Sequence, residues 1–168
     1  MRLHKKERLY EETFSLADVN NTIEALRGNS IAQPQTEATV SNNSLRDDAL
    51  NYIKDLEGFR IRLREIHWQT ERHSEHKLTD DLISTFESHE DEVAEIVMGL
   101  LGVRIKVGEV VPNIPQAEDL KGLLEAALNS AVHMKASLAS SPGYSALDSL
   151  LDDFMQSISK GKYLQTLA

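Results

Sequence analysis

Four side chains with metal-ligand chemistry stand at regular steps in the middle of the chain. They are His76, Asp80, Asp91 and Glu95, at steps of four, eleven and four. His67-Trp68, holding the only tryptophan, lies just before them. A helix turns about 100° per residue, so with His76 at zero, Asp80 falls at about 40°, Asp91 at about 60° and Glu95 at about 100°. Leu78, Leu82, Phe86, Val93 and Val97 fall at roughly 200–300°. The candidate ligands thus share a stripe roughly opposite the core stripe and point away from their own bundle. His76 and Asp80 are one turn apart and can share an ion, as can Asp91 and Glu95. The two pairs are about 16 Å apart along the helix, a gap no single ion spans. One helix therefore offers two half-sites. A second copy, antiparallel across a two-fold axis, brings His76 and Asp80 of one chain to Asp91 and Glu95 of the other and completes two equivalent sites.

Imidazole plus carboxylate without sulfur suits Fe(II), Mn or Zn, and open positions on iron permit redox chemistry. His67 is placed to add a third ligand from the same chain, with Trp68 as a wall of the site. A solvated acidic face produces a similar stripe by accident, so spacing alone leaves both readings standing. His73 reads as a loop residue and His89, on the edge of the core stripe, as a hydrogen-bonded packing residue. His133 and His4 read as surface residues. Glu87 and Glu90 read as solvated, with Glu87 on the ligand face and in position for a second, weaker ion. There is no HExxH, no Gly-rich phosphate loop, no serine-nucleophile motif and no Glu-x-x-His of a di-iron site inside a single bundle.

The elements that must carry these residues are helical. From Ser44, Leu45, Ala49, Tyr52, Ile53, Leu56, Phe59, Leu63 and Ile66 step by three and four to about Trp68. Ser74 is placed to cap the second helix. That helix carries the ligands, has Leu100 in its stripe and ends near Gly99 or Gly102. VRIKVGEVVPNIP is a connector. Pro115 is expected to open a third helix, with Glu118 and Asp119 in its first turn and Leu120, Leu124, Ala127, Ala131, Met134 and Leu138 as its stripe. SSPG is a turn. Ser145 and Asp148 form the pattern of a capping box for a fourth helix, with Leu147, Leu151, Phe154 and Ile158 running on towards Leu164. The expected fold is all-α, a four-helix bundle over residues 44–168. Residues 1–43 form an N-terminal extension. It has a short helical pattern (Leu16, Val19, Ile23 and Leu26, between Ser15 and Gly28) and a polar linker, GNSIAQPQTEATVSNN.

Composition agrees. The chain has 168 residues, 40% hydrophobic and only 5% aromatic, a mix that favours helix over sheet. A net charge of −9 argues against a generic nucleic-acid binder, though Arg2, Lys5, Lys6 and Arg8 make a local basic arm. Without cysteine there is no disulfide framework, thiolate site or cysteine nucleophile. The basic start lacks an apolar signal core, and no run of about 18 apolar residues exists to span a membrane. The expectation is a soluble, cytoplasmic protein.

Residue types and spacing together resemble the Dps-type mini-ferritins. The family's marks are His-Trp closing the first helix and a His opening the next, with Asp four residues on. Asp and Glu then follow in a D-E-x-A-E segment, and Leu-Gly after them. Here these are His67-Trp68, His76, Asp80, Asp91 and Glu95 in DEVAE, and Leu101-Gly102. The resemblance spans residues 45–102 well and 116–167 more weakly, where KYLQTL resembles the closing helix; residues 1–43 lie outside it. Two features depart from the family. His67 and His76 are nine residues apart, three fewer than usual, without the glycine-containing loop motif between them, and the tail is longer. The resemblance implies a ferritin-like bundle assembled as a hollow homododecamer with ferroxidase centres at its two-fold interfaces. Fe(II) is then held by His67, His76 and Asp80 of one chain with Asp91 and Glu95 of its partner. Hydrogen peroxide, or more slowly dioxygen, takes the electrons, and ferric iron is stored in an acidic cavity, giving protection against oxidative stress. Some family members coat DNA, for which Arg2, Lys5, Lys6 and Arg8 are the residues in position, with a nucleoid-associated location. The competing expectations are a structural or cargo protein docking through its tail, and a DNA-compacting protein with little oxidation chemistry.

Overall fold

Leu45, Ala49, Tyr52, Ile53, Leu56, Phe59, Leu63 and Ile66 are all buried along one face of a helix, α1 (Thr36–Gln69). The computed structural model describes residues 36–139 and 144–167, with side chains from residue 44. It contains α1, α2 (His73–Leu101), α3 (Leu120–Leu138) and α4 (Ser145–Gln165). There is no strand among the described residues, and no helix there is long and apolar enough to cross a membrane. The calls on His4, the short helix at residues 15–28 and the basic arm lie outside the described residues.

α1 packs on α2 and α3, and α4 packs on α2 and α3, so the four helices form a ring with α1 diagonal to α4. Late in α4, Gly161 lies against Leu82, early in α2, and Leu124, early in α3. α2 and α3 therefore run the same way, with α1 and α4 opposed to them. Parallel neighbours in sequence need a long crossover, and residues 103–119 provide it. They climb along α1: Arg46 pairs with Glu109, Asn113 N–H donates to the Lys54 carbonyl (3.0 Å), and Arg62 Nε donates to the Pro115 carbonyl (3.2 Å). Asp55 accepts from Asn113 Nδ2 (2.8 Å) and from Ser130 Oγ of α3 (2.6 Å), so one carboxylate fixes both crossover and helix. At Gly58 the crossover backbone comes so close that any Cβ would overlap the Asn113 carbonyl.

The interior is aliphatic, with an aromatic seam. Phe86 meets Phe59 and Phe154 edge-on at 6.2 and 5.1 Å between centroids. His89 stacks flat on Phe154 at 3.9 Å, and its Nε2 is 2.8 Å from the Tyr52 hydroxyl. It is the hydrogen-bonded packing residue expected. Burial lowers its pKa to about 4 and keeps the ring neutral.

The helix ends depart from expectation. α1 begins at Thr36 rather than Ser44. No Gly or Pro stands between Pro34 and Gly58, so once the apolar turns nucleate the helix, extension costs only propensity. Ser74 caps nothing. The turn at residues 70–72 is so short that His73, expected in the loop, is already helical, and His76 N–H bonds the Arg72 carbonyl (2.9 Å). Pro115 does not open α3, because its hydrogen bond to Arg62 holds that segment against α1. Asp119 is the N-cap instead, accepting from Gly122 N–H at 2.7 Å. Ser145 and Asp148 form no capping box. Tyr144 occupies the cap position, and Lys135 draws the Asp148 carboxylate across to α3 (3.0 Å). Leu100 and Leu164 are exposed in the last turns of α2 and α4 rather than in the core. α2 does end where a left-handed residue is needed, at Gly102 (φ 63°).

Candidate metal centre

The tight α1–α2 turn brings the last turn of α1 over the first turns of α2. His67 and His76 stack with centroids 3.9 Å apart, and His67 Nε2 lies 3.5 Å from Asp80 Oδ1. One donor atom from each of His67, His76 and Asp80 lies within 4.8 Å of the others. Donors about 2.1 Å from a shared ion stand roughly 3–4 Å apart, so small rotations of the exposed His76 and Asp80 side chains close the set. The shortened spacing between the histidines does not remove His67. Three turn residues suffice to bring it into register.

Thr79 also orients the His67 ring. Its Nδ1 lies 2.9 Å from Thr79 Oγ1, and that hydroxyl donates to the Glu75 and His76 carbonyls at 3.0 and 2.8 Å. With the Thr79 proton committed to its own helix, the oxygen accepts from His67 Nδ1–H. In that tautomer Nε2 faces Asp80 with its lone pair available to an ion. A metal-binding imidazole needs this arrangement, with one nitrogen donating to a fixed acceptor and the other free. Thr79 is fully buried. Sequence reading passed over it, although it falls on the core stripe one turn from Glu75 and one residue before Asp80, where a hydroxyl must find partners.

Asp91 and Glu95 are exposed on the same face of α2, one turn apart and far along the helix from His76 and Asp80. The subunit brings three of the five expected ligands together and leaves the other two as a separate pair. Trp68 is 74% exposed and stands out from the surface instead of covering His67. His133 is exposed on α3, as expected.

Between Asp91 and α1 lies a groove of ≈ 930 Å³ that includes Ile53, Arg60, Ala94, Met98 and Val110 in its lining. Arg60 sits in it among Glu57, Glu87 (3.3 Å) and Glu90 (3.4 Å). Glu90, expected in solvent, is half-buried. Burial pushes its carboxyl up to about 7; Arg60 opposes that rise, and Glu57 and Glu87 add to it. Glu87 is exposed and shares the same guanidinium, which already supplies the positive charge a second ion would bring.

Comparison of the chain with protein-family models, with curated proteins and with solved structures finds no match in any of the three.

Proposed function

We propose that the chain is a Dps-type mini-ferritin. It takes Fe(II) as substrate at sites shared by two antiparallel subunits, oxidises it with hydrogen peroxide or, more slowly, dioxygen, and stores the ferric product inside a homododecamer. The observation that carries this reading is the His67–His76–Asp80 cluster, with His67 Nδ1 held by Thr79 and Nε2 turned towards Asp80. The single long crossover between parallel α2 and α3 supports it, since ferritin-like bundles are connected in that way.

Each subunit contributes two imidazoles and one carboxylate from the α1–α2 hairpin, and two carboxylates from further along α2. An ion that gains positive charge on oxidation is stabilised by the anions of the partner's Asp91 and Glu95 more than in its reduced form. Two Fe(II) each give one electron to one peroxide. The O–O bond breaks, two protons are taken up, and two waters leave.

Anaerobic Fe(II) titration of the full-chain oligomer, then peroxide, tests the proposal. Rapid growth of ferric absorbance is expected. Asp91→Ala and Glu95→Ala should each abolish it with helix content unchanged. Undiminished turnover in both variants, or a monomer at every working concentration, would remove the shared site.

A further inference from the structure

Among the described residues, one surface holds a knob and a hole that nothing there fills. The knob is Trp68, the largest side chain in the protein and exposed by 74%. The hole is the groove that includes Ile53, Arg60, Ala94 and Met98 in its lining. Ile53, Glu57, Arg60 and Trp68 follow one another on α1 at steps of four, three and eight, so all fall within about 80° of arc. Trp68 therefore stands on the same outer strip of α1 that walls the groove lower down. Ala94 and Met98 fall at about 0° and about 40° on α2, within the stripe of the candidate ligands. Knob, hole and both half-sites share one face.

We propose that this face pairs with a second copy of itself and that Trp68 of each subunit seats in the partner's groove, over Ala94 and Met98. The inference rests on the shared-site reading and adds what holds the two subunits in register. Pairing His76 with Glu95 and Asp80 with Asp91 puts the two-fold axis level with the step from Thr85 to Phe86. His67 bonds Thr79 and stacks on His76, so it lies between their levels, and α1 runs opposite to α2, so Trp68 lies one residue nearer the hairpin tip, about level with Lys77. Across that axis, this level is Ala94. Face-to-face pairing also sets α1 against α1 of the partner, so the indole arrives at the Ile53 side of the groove.

Three kinds of chemistry favour this occupant. Ala94 is small enough to leave the floor open, and Met98 offers a thioether to the ring edge. Arg60 brings a guanidinium towards the ring face, and the surrounding carboxylates offer an acceptor for the indole N–H. Outside the acidic half-sites, charge is complementary along the face. Arg64 and Lys77 are exposed near Trp68, whereas Glu87, Glu92 and Glu95 are exposed near the groove, and antiparallel pairing sets one group against the other.

The chain has one tryptophan and no cysteine, so two clean readouts exist. In the intact oligomer Trp68 should emit at short wavelength and resist acrylamide. Ala94→Arg, which fills the floor, should shift the emission to the red, restore quenching and raise the concentration needed for pairing. A Trp68→Cys/Ala94→Cys variant should become a covalent dimer with a short bis-maleimide. Within one chain these positions are too far apart along α2 to link. Should the Asp80→Cys/Asp91→Cys pair cross-link between subunits while Trp68→Cys/Ala94→Cys does not, the groove assignment fails and the shared site stands. Should neither pair cross-link, the shared site and this inference fall together. A freely quenched, red-emitting Trp68 in the intact oligomer also overturns the seating.

Discussion

At the residue scale, the informative pair is His67 and Thr79. The hydroxyl is spent on the carbonyls of its own helix, which leaves its oxygen as an acceptor facing His67 Nδ1 and favours the tautomer with Nε2 open to an ion. Thr79→Val keeps volume and loses that acceptor, so Fe(II) or Zn(II) affinity by calorimetry should fall about 10–100-fold with the fold retained. Thr79→Ser should keep most of it. A second prediction concerns His89. Its pKa is near 4 in the fold, against an ordinary value of 6.5, so the unfolded chain binds the extra proton first. Stability is therefore fully present above pH 6.5 and declines as pH falls towards 4. The loss is up to about 3 kcal/mol, and denaturant melts across that range should show it shrinking in His89→Phe. The shared stripe of the candidate ligands was legible because it depends on helical periodicity alone. Thr79 was not, because its role arises only when α1 folds back over α2.

At the scale of elements, the apolar stripes were legible and the helix ends were not. Every stripe residue expected in α1 and α3 is buried, since periodicity is a property of the helix itself. Ser74, Pro115 and the Ser145/Asp148 pair each had the local chemistry to start a helix. Each was overruled by a contact from elsewhere: a short turn, Arg62, or Lys135. The crossover likewise looked like a plain connector, and only the fold shows that Gly58 makes room for it. Gly58→Ala forces the Asn113 carbonyl away from α1 and disturbs its neighbouring bonds to Lys54 and Asp55. It should cost about 1–3 kcal/mol in thermal or urea unfolding. Phe86→Ala removes the ring between Phe59 and Phe154 and should cost about 3–5 kcal/mol.

At the scale of the whole molecule, the sequence carried the antiparallel pairing only as an argument from the spacing of the two half-sites, and the groove beside Asp91 was not legible at all. Its walls come from three separate parts of the chain. The tight turn at residues 70–72 has a consequence for how such an assembly would live. It gathers His67, His76 and Asp80 within a single hairpin, so on the proposed function a lone protomer would already grip an ion before any neighbour arrives. Whatever cation is held there becomes an adhesive between protomers, by mass action. Swapping of protomers between differently tagged particles should then slow when micromolar zinc is added and quicken under a chelator.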